Sequence, residues 1–229
     1  MSAYVELKAA DGFVSPAYLA EPEGTPHGAV VLLQEIFGVN SHIRELADAY
    51  AAAGYVALAP SLFHRVQAGV ELGYTDADMQ AGFAIKLQVD ALPDPGVMAD
   101  IQAAIDTLRL AAGVKVGIVG YCWGGLLAWR SACQLQGLSA AVPYYGGGMT
   151  VGADAELQPQ CPVLVHFAEQ DNWIPLDTVT AFKARHPEVQ VHTYAAHHGF
   201  NCDQRGAHDA PSAELALERT VAFLVQHLG

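Results

Sequence analysis

Residues 120–125, Gly120-Tyr121-Cys122-Trp123-Gly124-Gly125, set a cysteine among glycines where the apolar run Val114–Val119 gives way to Leu126-Leu127-Ala128-Trp129. Small-x-nucleophile-x-small at a strand-to-helix junction is the pattern of a nucleophile elbow, a strained turn that lifts the nucleophile above a sheet. Glycine suits such a turn because the crowded backbone leaves no room for Cβ atoms. A helix beginning at Cys122 also directs its positive dipole end at the sulfur, favouring thiolate over thiol. The chemistry indicated is acyl transfer through a thioester. The plain alternative is a close-packing turn whose cysteine is only a small apolar group.

A nucleophile of this kind needs an acid and then a histidine, in that chain order. Asp171 stands in Ala168-Glu169-Gln170-Asp171-Asn172, just past the apolar run Val163–Phe167. His198 stands in Ala196-His197-His198-Gly199-Phe200, past Val189–Tyr194. His197 competes with it, and His-Gly-Phe is the better loop tip. A turn or capping role for Asp171 is the other reading of that residue. Glu35 lies in Gln34-Glu35-Ile36-Phe37-Gly38, directly after the apolar run Gly28–Leu33. The backbone there is placed to give one oxyanion donor and the residue after the nucleophile the other, so the N–H groups of Ile36 and Trp123 are the expected hole. A charged carboxylate beside a thiol raises the thiol's pKa, so Glu35 could hold Cys122 protonated or take its proton. A solvated loop carboxylate is the alternative. His166, inside an apolar run, reads as a core residue.

The elements that must position these groups follow from the apolar pattern. Val5–Lys8 and Phe13–Ala20 flank Asp11-Gly12, a hairpin-turn pair. Gly28–Leu33, Tyr55–Ala59, Val114–Val119, Ala140–Tyr145, Pro162–Ala168 and Val189–Tyr194 are strand-length runs. Ser41 is placed to cap a helix over 42–53 ended by Gly54. Further helices are expected over Asp76–Gln88, from Val97 to Leu108, and over Leu176–Arg185. A last one shows Leu217, Val221, Leu224, Val225 and Leu228 on one face. Alternation of strands and helices predicts one α/β domain over 1–229, with a mostly parallel sheet covered on both faces. Ligands then bind at the strands' carboxyl ends.

Composition narrows the partners. The 229 residues are 52% hydrophobic, enough for a large core. The net charge of −13 argues against nucleic acid, which needs clustered Lys and Arg. Met1-Ser2-Ala3-Tyr4-Val5 lacks the basic start and apolar run of a secretory signal, and no stretch is long and apolar enough to span a bilayer. None of the four cysteines forms a C-x-x-C pair, so zinc gets no support. Free thiols of this kind suggest the cytoplasm.

Gln34-Glu35-Ile36-Phe37-Gly38, Gly120–Gly125, Gln170-Asp171-Asn172-Trp173-Ile174-Pro175 and His197-His198-Gly199-Phe200 together resemble the dienelactone hydrolase family, from about Phe13 to Leu228. The resemblance implies an α/β-hydrolase fold without a large lid domain. It also implies opening of the enol-lactone ring of carboxymethylenebutenolide, a step of chloroaromatic degradation. Cys122 would be the nucleophile, His198 the base and Asp171 its orienter, with Glu35 pairing with the resting thiol. Acyl chemistry of this kind needs no metal or organic cofactor. The familiar bacterial members bind the substrate carboxylate with two arginines. Here the segment Thr75–Lys86 offers only Lys86, and the position four past His198 is Cys202. Arg205 is the available substitute, since a guanidinium can bind a carboxylate bidentately. Tyr144 and Tyr145 are expected pocket walls, ordinary packing being the alternative. The expected protein is a cysteine-dependent lactone or ester hydrolase of a small molecule, a monomer or small homo-oligomer. A broader carboxylesterase or thioesterase, or a non-catalytic ligand-binding relative, are the alternatives.

Overall fold

The computed structural model describes residues 1–229, the side chain of Ala112 excepted. The first half of the chain gives β1 (Ser2–Lys8), β2 (Val14–Ala20), β3 (Gly28–Leu33), α1 (Ser41–Ala52), β4 (Tyr55–Pro60), α2 (Asp76–Asp90) and α3 (Val97–Ala112). The second half gives β5 (Val116–Tyr121), α4 (Trp123–Gln134), β6 (Leu138–Tyr144), β7 (Leu164–Ala168), α5 (Leu176–Arg185), β8 (Gln190–Tyr194) and α6 (Ala210–Leu228). One eight-stranded sheet results, in the order β1-β2-β4-β3-β5-β6-β7-β8. β2 is antiparallel to both β1 and β4, while the pairings from β4 through β8 are parallel. This is the mostly parallel α/β-hydrolase arrangement.

Every residue of β3, β4 and β5 is buried, which explains their unbroken apolar runs: both faces are covered. Parallel strands also share a direction. The segments leaving β3, β5, β7 and β8 therefore emerge on one rim, and these carry Glu35, Cys122, Asp171 and His198.

Local chemistry sets the boundaries. In the β1–β2 hairpin Gly12 takes φ 87° and the Asp11 carboxylate accepts the Phe13 N–H at 3.0 Å. The cap of α1 is Asn40 rather than Ser41: its side-chain oxygen accepts the Ile43 N–H at 3.3 Å, so the helix starts one residue early. Thr75 and Asp78 form a reciprocal capping box at the start of α2.

The buried face of α6 differs from the apolar stripe expected. Ala216, Thr220, Phe223, Leu224 and Leu228 face inward, whereas Leu217 and Val225 are 45% and 55% exposed. Two things choose this face. Gly28 and Gly117 leave space against which Leu228 and Leu224 pack directly. The Thr220 hydroxyl also finds buried partners in Tyr144 and His166, at 2.6 and 3.0 Å. Among the described residues no helix is long and apolar enough to cross a membrane.

The two stripes make opposite predictions. Phe223→Ala is expected to lower unfolding free energy by about 3–5 kcal/mol. Leu217→Ala, on the outer face, should cost less than about 0.5 kcal/mol. Urea denaturation of both variants is the check, and equal losses would place Leu217 in the core.

Candidate active site

Cys122 is the N-cap of α4 and adopts φ 56°, ψ −116°, a region that non-glycine residues rarely enter. Neighbouring backbone holds it there. Its N–H donates to the Tyr144 carbonyl at 3.0 Å, and its own carbonyl accepts the Gly125 N–H at 2.9 Å. A Cβ on Gly124 would lie 2.5 Å from the carbonyl oxygens of Leu33 and Gln34, and one on Gly120 2.0 Å from that of Gly124. Those distances are far inside van der Waals contact. The turn thus needs glycine for close approach, as the motif suggested.

His198 and Asp171 meet at the same rim. His198 Nδ1 lies 2.7 Å from Asp171 Oδ2, and Asp171 Oδ1 accepts the Trp173 N–H at 2.8 Å. Both carboxylate oxygens are committed and the side chain is fully buried, so the ring's orientation is fixed. His197 points elsewhere, exposed, with Nδ1 3.0 Å from the Gln170 carbonyl. Burial alone would push the His198 imidazolium down. The charge and hydrogen bonding of Cys122 and Asp171 outweigh it and hold the group up, at about 10.

Glu35 is 1% exposed and does not reach the thiol as expected. Its Oε1 accepts from Arg205 at 3.0 Å and its Oε2 from the Tyr74 hydroxyl at 3.4 Å. Among the described residues no hydrogen bond joins it to Cys122. Burial, then the Glu35 charge, raises the Tyr74 hydroxyl's pKa, so it stays a donor. Glu35, His42 and Cys202 also bring a carboxylate oxygen, an imidazole nitrogen and a thiol sulfur within 4.8 Å of one another. Such donors suit zinc, although both carboxylate oxygens of Glu35 already have protein partners. Burial keeps Cys202 protonated, with a pKa of about 12.

A cavity of about 190 Å³ opens above the sulfur, and Ile36, Trp123, His198 and Arg205 line it with Cys122. Trp123 is the first residue of α4, whose N–H has no intrahelical acceptor. The expected tyrosine walls are elsewhere. Tyr144 is fully buried, with its hydroxyl on Thr220 and its ring 6.0 Å from that of Tyr145. Tyr145 is equally buried and packs its ring 5.0 Å from that of His198, behind the cavity rather than in it. The walls are instead Phe37, Met79, Phe83, Lys86, Trp173 and the glycines 147–148. None of these was expected as a wall: Phe37 and Trp173 stand inside the motifs around Glu35 and Asp171, Lys86 was noted only as a cation, and Met79, Phe83 and Tyr74 carry no motif.

The profile of the dienelactone hydrolase family matches residues 15–228. A carboxymethylenebutenolidase from Pseudomonas putida is 34% identical, with the alignment covering 96% of this chain and 94% of that protein. A Synechocystis protein assigned the same activity is 33% identical, over 88% of this chain and 87% of its own. Among solved structures, a Klebsiella pneumoniae protein assigned as a dienelactone hydrolase superposes with a TM-score of 0.85 at 29% identity, covering 99% of this chain and 98% of that one.

The raised His198 pKa has a definite sign. Folding favours the imidazolium, so its contribution to stability is complete below the ordinary value of 6.5 and is lost as pH rises through about 10. NMR titration of the His198 ring protons should give a midpoint near 10. In Asp171→Asn it should fall by about one unit or more. An unchanged midpoint would mean that Asp171 does not hold the charge.

Proposed function

The chain belongs to the dienelactone hydrolase family and is a carboxylic ester or lactone hydrolase; we propose that it works through a Cys122 acyl-enzyme, with His198 as base and acid and Asp171 as its orienter. The observation that carries this reading is the 2.7 Å His198–Asp171 bond on the rim occupied by the Cys122 elbow. In this reading His198 holds the thiol proton as imidazolium while the Cys122 sulfur attacks the carbonyl carbon. The tetrahedral oxyanion forms within reach of the Ile36 and Trp123 N–H groups, which are the proposed hole. Collapse breaks the carbon–oxygen bond, and the departing alkoxide or enolate takes the imidazolium proton, which leaves His198 neutral. Neutral His198 then draws a proton from water, whose oxygen attacks the thioester and releases the acid and the thiol.

Arg205 is the proposed contact for an anionic group on the substrate. Its guanidinium lines the cavity and is already held by Glu35, so a substrate carboxylate would meet a preoriented but partnered cation. A neutral ester would leave that pair untouched.

Cys122→Ala should lower hydrolysis of activated aryl esters by at least about a thousandfold while keeping the wild-type melting temperature. Rapid-quench mass spectrometry of the wild type should find the acyl group on Cys122. A fully active alanine variant would sink the mechanism. Arg205→Ala should raise KM for a carboxylate-bearing lactone about tenfold more than for a neutral ester of similar reactivity. Equal changes for both substrates would remove Arg205 from recognition.

A further inference from the structure

Besides Arg205, the cavity is walled by aromatic and thioether groups that the acyl chemistry does not use. Trp173 is 61% exposed, unlike Trp123 and Trp129, which are 2% and 0% exposed. A ring so open to water adds little to folding. Its backbone is nevertheless fixed: its N–H donates to Asp171 Oδ1 at 2.8 Å, and the next residue, Ile174, is buried. The ring lies 5.5 Å from that of Phe83, tilted by 42°, and both line the cavity with Met79.

Phe83 and Met79 stand four residues apart on α2 and so share a face. That helix is held tightly against the Glu35 loop. A Cβ on Gly82 would sit 2.2 Å from the Ile36 carbonyl oxygen, so no larger residue fits between them. One turn on, Lys86 is ion-paired with Asp90, which also accepts the Trp123 indole N–H at 3.2 Å. The Lys86 charge is thus shared with Asp90, and the surface that Trp173, Phe83 and Met79 themselves present to a ligand is apolar. One wall is tied to Asp171, the other to the loop bearing Ile36.

We infer that Trp173, Phe83 and Met79 form a binding subsite for a planar aromatic ring of the substrate, in the cavity that Cys122 lines. Taking this cavity as the hydrolase's substrate site, the inference rests on the function proposed above. Aromatic walls favour a ring over an alkyl chain of equal area, because edge and face charge distributions complement each other and a ring loses little rotamer freedom. The Met79 thioether adds a polarisable contact of the same preference.

The test separates binding from turnover. Calorimetry on Cys122→Ala, with and without Trp173→Ala, measures two non-hydrolysable ketones, methyl 2-naphthyl ketone and an alkyl methyl ketone of similar area. Loss of the Trp173 ring should weaken the naphthyl ketone roughly three- to tenfold and the alkyl ketone less than about twofold, with Trp173→Phe restoring most of the difference. In otherwise wild-type protein, Trp173→Ala should lower kcat/KM for aryl esters by the same factor relative to fluoroalkyl esters of matched leaving-group acidity. Equal weakening of both ketones, or no weakening, overturns the subsite. Ring-selective binding that depends on Trp173, in a protein that hydrolyses none of the esters, would sustain the subsite and overturn the proposed function alone.

Discussion

The backbone at Cys122 is the constraint on which the site depends. Holding a non-glycine residue at φ 56° costs about 1–3 kcal/mol, a sizeable part of a net stability of about 5–15 kcal/mol. The conformation persists because three strands converge on it. The Tyr144 carbonyl at the end of β6 takes the Cys122 N–H, while the ends of β3 and β5 close around Gly124 and Gly120. A shift of any of these strands would let the turn relax and carry the sulfur away. The loop bearing Glu35 and Ile36 leaves β3, and the turn at Tyr145 leaves β6, so their distances from the sulfur are inherited from the same contact.

Two buried charge pairs, each with one member lining the cavity with Cys122, differ in kind. Asp171 spends one oxygen on its own loop and the other on His198, which makes it an orienting group. Glu35 and Arg205, 170 residues apart in sequence, neutralise each other across the β3 and β8 loops. An uncompensated buried carboxylate would cost several kcal/mol, so the pair settles the charge balance at this end. Burial keeps the Tyr74 and Tyr145 hydroxyls protonated, and neither competes with Glu35 for the negative role. A guanidinium that neutralises Glu35 is also not an empty anion site, which distinguishes it from a free arginine in the same place.

The parts of this arrangement that are local in sequence were legible there. Glycines around a cysteine, an acid and a histidine at successive strand ends, and unbroken apolar runs each report on their immediate backbone, and the α/β class and sheet followed from them. What depended on partners from elsewhere was not. Glu35 was expected beside the thiol, but Arg205 and Tyr74 draw its carboxylate to themselves, and neither partner is visible from residue 35. Tyr144 and Tyr145 looked alike as pocket walls, but both are fully buried, their rings packed with those of Tyr121 and Phe200, and Phe200 is distant in sequence. The buried face of α6 departs from its apolar stripe for a related reason. Leu217 and Val225 satisfy helical spacing as well as Phe223 does, and the choice fell to the space at Gly28 and Gly117 and to a polar residue that a hydrophobic count ignores.

That residue, Thr220, belongs to a buried chain whose proton order can be worked out. Tyr144 is fully buried, and among the described residues its hydroxyl is bonded only to Thr220 Oγ1, at 2.6 Å. Burial holds its pKa far above the ordinary value, so it keeps its proton and donates it to Thr220. Thr220 then donates to His166 Nε2, 3.0 Å away, and the proton of this neutral imidazole must sit on Nδ1, 2.8 Å from the Tyr194 hydroxyl. Burial disfavours the imidazolium, in agreement with a single ring proton. Arg219, which can only donate, closes the outer end on Tyr194 at 3.1 Å. The backbone of the same residues carries the site: the His166 carbonyl accepts the Tyr145 N–H at 2.7 Å, and the Tyr144 carbonyl accepts that of Cys122. The inner face of α6 thus braces the ends of β6 and β7 directly beneath the elbow, and a leucine or valine in place of Thr220 would fill that space while leaving two buried polar groups without a partner.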